Sequence, residues 1–501
     1  MLIAAAGSAV ALGLLGAGCY FYEDDCHNIG TCSPGTGPSS SSTSSTGGHV
    51  NCDPAMGAVD GSCGVFVSSS MGDDKNDGSQ GKPFATLGAA LSKAGSGRVY
   101  ACGEQFKETL TLSAGVTLYG ALACSNGWTY DAGKKTVLTA EADAIPLTLA
   151  STAMGAEVLD VAVSAANATK PGGSSIAVVV DHATATFTRC SFVAGAAMDG
   201  DPGTSGGMPA MQAKPGLKGD DAGTMGTLNG GPGASNATCG LKGGNGGDGG
   251  LLSSPPGSDG TQGDGTQGGA KGSGQTLTAA CSNGANGNLG MKVSDGLLTP
   301  GIGTIEASGY HGIDGQPGMN GTNGTSGGGG GGSMAMGTAH GAGGGGGGAG
   351  GCGGMLGTGG KAAGSSIALM SLSAKVTLAS CTLDPGKGGK GGAGGDGQFG
   401  QPGGLQGNGG MAGLGASKGC AGGAGGDGGN GGNGSGGLGG HSLGIAATGT
   451  APVLDAATKS AITPGVKGSG GKGGNMDASM NHGADGVAAA CWDFGSNAAC
   501  K

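Results

Sequence analysis

The sequence predicts an all-β chain in which coils of a parallel β-helix, closed at the N-terminal end by a capping helix, are interrupted by long glycine-rich insertions and preceded by a disordered tether. Three observations carry that prediction. Glycine supplies 128 of 501 residues while charged residues make up 11 % and aromatics 3 %, so neither a salt-bridged helical fold nor a large aromatic core is available, and charge-driven disorder is equally disfavoured. A 22-residue segment recurs without gaps: SSIAVVVDHATATFTRCSFVAG at 174–195 matches SSIALMSLSAKVTLASCTLDPG at 365–386 at eight positions. The chain also opens on an uncharged apolar segment and carries 15 cysteines, which together mark an exported protein.

In chain order, residues 1–18 (MLIAAAGSAVALGLLGAG) hold no charge and lead into Cys19 and YFYEDDC. They read as a signal peptide rather than a membrane span. Leu15–Cys19 resembles a bacterial lipobox, in which cleavage precedes a cysteine that then carries the lipid; Tyr20 after it implies an outer-membrane, cell-surface location. The alternative is a secretory signal with Cys19 incidental. Residues 19–64 contain SPGTGPSSSSTSSTGG, a composition that buries too little apolar surface to offset ordering, and read as a flexible tether. Cys26 with Cys32, and Cys52 with Cys63, are the expected small loops. No CxxC spacing suggests zinc or redox chemistry, and an even number of cysteines after Cys19 fits disulfides.

Residues 65–195 are expected to hold the cap and first coils. Pro83 marks a helix start, Phe84, Leu87 and Leu91 share one face, and Gly95 is the stop. The strands that follow alternate apolar and polar residues. Because one coil cannot cover its own apolar side, repeated coils must stack with like residues ~4.8 Å apart. The insertions 196–361 and 387–440 are then excursions from one corner, between the coil at 362–386 and a last, weaker copy within 441–501. Stacking places Cys190 over Cys381, within disulfide reach, and makes Cys102 and Cys124 an equivalent pair.

The run GDDKNDGSQGKPFATLGAAL, followed closely by RVYACGEQFKETLTLSAGVTLYGAL, resembles the N-terminal cap and first turns of pectate-lyase-like right-handed parallel β-helix proteins. The layout of lipobox, tether, cap, coils and insertions is similar to myxobacterial-type surface lipoproteins. That resemblance implies a right-handed parallel β-helix fold and a surface location, not an activity.

Glycine recurs every third residue in three runs, such as Gly309 to Gly327 and Gly419 to Gly440. Period three is that of polyproline-II-type helices, which bond to neighbours packed closely only where side chains are missing. One reading is therefore a bundle of such helices, with cross-links from Cys239, Cys281, Cys352 and Cys420; the other is mobile loops, since ordering glycine is costly and nothing apolar repays it. GGxGGDG at three places puts Asp248, Asp396 and Asp427 in a pattern resembling calcium-binding nonapeptide repeats, but without their aliphatic residue. The cap turn offers Asp73, Asp74 and Asp77 as further oxygen ligands. No cofactor is expected, and calcium is the one cation with candidate ligands.

Two arginines, Arg98 and Arg189, and a net charge of −10 leave no basic patch for nucleic acid. Asp160, Asp181 and Arg189 are the catalytic candidates, because lyase chemistry needs carboxylates and a base on one coil face. The expected function is a non-catalytic cell-surface lipoprotein, lipid-anchored or otherwise secreted, presenting glycine-rich loops for adhesion or for contact with envelope, matrix, polysaccharide or surface proteins. The alternative is a secreted polysaccharide lyase, glycoside hydrolase or carbohydrate binder using the β-helix face.

Overall fold

A computed structural model describes residues 50–208, 210–265, 267–298, 300–475 and 481–501; the signal, Cys19, Cys26 and Cys32 lie outside them. The protein is mainly β, with 25 % strand and 5 % helix. Residues 50–64, assigned above to the tether, are instead part of the folded unit. The Cys52–Cys63 disulfide closes a loop whose Cys52 carbonyl accepts the Tyr100 hydroxyl at 2.8 Å and whose Val59 is buried beside Phe66 and Trp128.

The cap forms as its chemistry dictates, with one shift. Strand β1 (Val65–Val67) precedes helix α1 (Leu87–Ala94), which starts four residues after Pro83 because Thr86 is its N-cap, accepting the Ala89 N–H. Asp74 accepts the Ala85 and Thr86 N–H groups. The Glu108 carboxylate takes the Leu87 and Gly88 N–H groups at 2.8 and 3.0 Å, satisfying donors that a helix N-terminus leaves open. Gly95 ends the helix at φ 59, returning its N–H to Leu91.

The chain then visits three parallel sheets in cyclic order. The strands are β2 (Arg98–Cys102), β3 (Gln105–Lys107) and β4 (Leu110–Leu112); β5 (Thr117–Ala123), β6 (Thr136–Thr139) and β7 (Leu147–Leu149); β8 (Met154–Leu159), β9 (Val161–Ser164) and β10 (Ser175–Asp181); β11 (Thr184–Thr188), β12 (Ser191–Ala194) and β13 (Ser366–Leu372); β14 (Lys375–Ala379), β15 (Thr382–Pro385) and β16 (Ser442–Thr448); and finally β17 (Val453–Leu454) and β18 (Ala488–Asp493). The first sheet runs β1-β2-β5-β8-β11-β14-β17, the second β3-β6-β9-β12-β15, and the third β4-β7-β10-β13-β16-β18. The repeat read from sequence is the pairing register: Ser175 faces Ser366, Ala185 faces Val376 and Phe192 faces Leu383. One continuous core of Leu, Val, Phe and Ala threads the interior from Leu87 to Ile445.

Corners are made by single left-handed residues. Asp160, Arg189 and Ser380 (φ 58, 52 and 55) lead from the first sheet to the second, and His182 and Ser373 (φ 53 and 46) lead from the third to the first, a conformation in which one residue turns the chain into the next sheet at some cost to a non-glycine side chain. The long excursions leave between the second and third sheets after β12 and after β15, and the last one leaves before β18 once Ile462 has bridged in parallel to Leu383 of the second sheet.

Those excursions are ordered, so the mobile-loop reading does not hold. Within 343–348, successive N–H groups point to different neighbours: Gly344 to Gly247, Gly345 to Cys420 and Gly346 to Leu217. Their carbonyls accept from Gly231, Gly330 and Gly407. Three residues thus touch six runs, the coordination of close-packed threefold helices. The ladders persist every third residue: Gly315, Gly318 and Gly321 donate to Gly360, Gly357 and Gly354, and Gly348, Gly351 and Gly354 donate to Gly423, Gly426 and Gly429. Disulfides Cys239–Cys352 and Cys281–Cys420 cross-link the bundle, and Cys491–Cys500 closes the C-terminal hairpin.

A hairpin inside the first excursion, Thr304–Glu306 with Gly309–His311, covers the outer face of the third sheet, burying Ile305 and Tyr310 against Ile176, Ile367 and Leu443. His441 lies beneath it, edge-on to Tyr310 and Phe494. Its Nδ1 accepts the Val487 N–H at 2.8 Å, which places the proton on Nε2, bonded to the Ile302 carbonyl at 2.7 Å. Burial pulls its pKa below the ordinary value. The unfolded chain therefore binds the proton first as pH falls below about 6.5, and stability is lost through the folded pKa. Urea midpoints measured from pH 7.5 down to 5 are expected to fall more steeply for the wild type than for His441→Gln; parallel curves would show that His441 does not titrate against folding.

Candidate functional site

The catalytic candidates do not converge. Asp160 and Arg189 meet on stacked corners: Nε reaches Oδ1 at 2.9 Å and Nη2 reaches Oδ2 at 2.6 Å, a bidentate pair. The Tyr130 hydroxyl donates to the same Oδ1 at 2.9 Å, and the guanidinium lies over the Tyr130 ring. Asp160 is only 4 % exposed. The hydrogen bonds from Arg189 to Asp160 raise the guanidinium pKa, and burial, with the bond to Asp160, raises that of Tyr130. Asp181 sits at the other kind of corner, where it bonds His182 Nδ1 at 2.6 Å. An arginine held this way has no lone pair to offer as a base, and Asp160 is committed to three donors, so the ion pair is a clamp between coils. Tyr130, its third member, was not among the candidates because its partner lies thirty residues away with no local pattern linking them.

Arg189→Ala is expected to destabilise the fold by about 2–3 kcal/mol, below the roughly 3–5 kcal/mol for stranding a charge of a fully buried pair because the arginine is partly exposed. Asp160→Asn combined with Arg189→Gln should recover part of that loss in urea unfolding. A single Arg189→Ala variant as stable as wild type would show the clamp to be idle.

The metal candidates are likewise engaged by backbone. Asp73 accepts the Lys75 N–H, Asp74 serves α1, and Asp77 accepts the Ser79 N–H and hydroxyl, which lowers the Asp77 pKa. In the insertions, Asp248 accepts the Gly230 N–H at 2.8 Å, Asp427 that of Gly403 at 2.7 Å, and Asp396 that of Asn475. Among the described residues no three His, Cys, Asp or Glu side chains gather as a metal site.

These carboxylates belong to a pattern that sequence reading missed. Each Gly-X-Y turn offers three N–H groups, and where a run faces a neighbour at its edge, an Asn or Asp side chain accepts the one that the glycine ladder leaves over. Asn320 and Asn323 serve Leu356 and Gly353; Asn430 and Asn433 serve Gly400 and Gly397; Asn283 and Asn286 serve Ala421 and Ala424. The signal was present as Asn and Asp recurring at fixed places in the triplets, but the acceptor role needs the neighbouring run to be known.

The cysteines divide by position. Cys102–Cys124 is a disulfide. Cys190 and Cys381 stack as expected, with the Cys190 N–H reaching Cys381 Sγ at 3.4 Å, but are thiols rather than a disulfide. Each Sγ is instead directed to backbone carbonyls, Val158 for Cys190 and Phe187 for Cys381, and burial pushes the Cys190 thiol pKa up, which disfavours the thiolate needed for exchange.

No helix of the described residues is long and apolar enough to cross a membrane. Comparison with protein families, with curated proteins and with solved structures finds no match.

Proposed function

We propose that the protein is a non-catalytic cell-surface lipoprotein, held to the outer membrane through lipidated Cys19, in which a right-handed parallel β-helix of pectate-lyase-like type presents a rigid glycine-helix bundle for adhesion or for contact with envelope or matrix. The observation that carries the reading is the placement of the long excursions at one corner, where the first two are joined by a disulfide and the last bonds to the second through its backbone, as in Gly468 to Gly440 and Gly471 to Gly437. The cyclic visiting of three parallel sheets supports the β-helix, and five disulfides support an oxidising location.

Radiolabelled palmitate fed to a native host should enter the wild type and not Cys19→Ala; an unlabelled wild type would refute the anchor. Cells lacking the protein should attach less well to the matrix of their own biofilm, and unchanged attachment would refute adhesion.

A further inference from the structure

One face of the bundle carries a groove that nothing in the coil architecture requires. Three runs lie side by side there, and Asn475 from a further segment borders them. Residues 419–440 lie antiparallel to 390–411, as in Gly431 to Gln398 at 2.9 Å, and 284–296 donates to 421–433, as in Gly290 to Asp427 at 2.7 Å. The groove, of about 170 Å³, is lined by Lys292, Asp396, Phe399, Asn430, Asn433 and Asn475; the Asn475 N–H takes Asp396 Oδ1, so Oδ2 is the acceptor left to an occupant. Phe399 is 64 % exposed and has no apolar partner in any core cluster. Phe399 is the one phenylalanine in the glycine-rich runs, and exposed as it is it contributes nothing to their close packing that a smaller residue would not.

The polar groups around it are oriented by the bundle itself. Asn430 and Asn433 each accept a backbone N–H through Oδ1, from Gly400 and Gly397 at 2.9 Å, which fixes the oxygen and leaves each –NH2 for an occupant. The two amides stand one triplet apart, a spacing of about 9.3 Å along a threefold helix, comparable to the length of a β-1,4-linked disaccharide. Asp396 supplies an acceptor and Lys292 a further donor. An aromatic face for C–H surfaces, ringed by mixed donors and acceptors, is the chemistry that recognises a sugar ring. Asp295 and Asp427 flank the same rows through their bonds to Asn433 and Gly403, so carboxylates outnumber the one ammonium and a polyanion is disfavoured.

We infer that this groove binds a neutral β-1,4-linked glycan, with Phe399 stacked on one ring. The inference rests on the reading of the bundle as the contact surface and names its ligand class. The test titrates the full chain calorimetrically with cellohexaose and chitohexaose, and with a galacturonate hexamer as the anionic comparison. At least one neutral hexaose should bind with a dissociation constant of roughly 1 mM or tighter. Phe399→Ala should weaken it at least tenfold without moving the thermal midpoint, and Phe399→Tyr should retain it. Absence of binding by both neutral hexaoses, equal binding by Phe399→Ala, or preference for the galacturonate overturns the groove. Attachment of cells that persists while no hexaose binds overturns the groove and leaves adhesion standing; hexaose binding in a protein whose removal leaves attachment unchanged supports the groove and overturns adhesion.

Discussion

Replacing Cys239 and Cys352 with serine is expected to cost roughly 5 kcal/mol of stability, because the bond closes a loop with a sequence separation of 113 residues and the chain-entropy relation gives about that value at this length. The same relation gives a similar figure for Cys281–Cys420, separated by 139. The two loops overlap in sequence, so removing both should cost less than the sum. These bonds matter more here than in an ordinary domain. The bundle orders glycine, which loses the most conformational freedom of any residue, and its threefold runs bury little apolar area: among the described residues the one apolar cluster confined to them is Ala213, Ala234 and Ala349. What remains is backbone hydrogen bonding, net about 1 kcal/mol for each bond, set against about 1–2 kcal/mol for each residue fixed. Those two contributions nearly cancel, so constraining the unfolded chain weighs more in the net stability than it would beside a large apolar core. Urea unfolding of the Cys239→Ser, Cys352→Ser variant without reductant, followed by which peptides a protease releases first, measures the effect. A loss below about 1 kcal/mol would mean that the glycine ladders are self-sufficient.

The parts of this fold that were legible in the sequence are those in which side chains carry the register. Parallel strands stacked in register repeat a side chain's environment, so Ser175 and Ser366, or Ala183 and Ala374, stay alike across an interval that the chain fills with unrelated sequence; the gapless match of 174–195 to 365–386 was the structure's own pairing. Gly95 also ends the helix as local rules require, whereas the start read at Pro83 moved to the Thr86 N-cap. Legibility ends where side chains end. Glycine has no side chain to specify which run it faces, and Gly344, Gly345 and Gly346 bond three different partners while being identical in sequence. Period three could be read, but not the partner of any turn. The hairpin at 304–311 was lost for a related reason: Ile305 and Tyr310 are isolated among glycines, and only the third sheet beneath them makes them core. For the catalytic candidates the reverse applies. Residue type named Asp160 and Arg189 as chemistry, and the stacking of two corners turned them into a clamp. Cys190 and Cys381 show that stacking alone does not fix the bond, since both sulfurs turn to backbone carbonyls instead.

A single methyl group at the centre of the bundle should do as much damage as the loss of a core side chain elsewhere. Gly345 is buried, its N–H bonds the Cys420 carbonyl at 2.8 Å, and its own carbonyl accepts from Gly330 at 2.9 Å. A Cβ built there would overlap the Gly407 carbonyl and the backbone of Asn408. Ordinary overpacking costs about 1–3 kcal/mol because a neighbouring side chain can turn aside. Here the neighbour is backbone, itself hydrogen-bonded into the lattice, so relief requires moving a whole run and breaking its ladder to the next; Gly345→Ala is therefore expected at about 3 kcal/mol or more. Met355→Ala, in the same run but on its exposed side, and Gly81→Ala, where a Cβ meets nothing, should each stay within about 0.5 kcal/mol of wild type. Hydrogen exchange separates a local from a spreading effect. If the bundle is one lattice, amides of Gly407 and Cys420 should lose protection together in Gly345→Ala, although they belong to different runs. Loss at Gly407 alone would make each run independent, and unchanged stability would mean that the runs are too far apart for glycine to be required at their contacts.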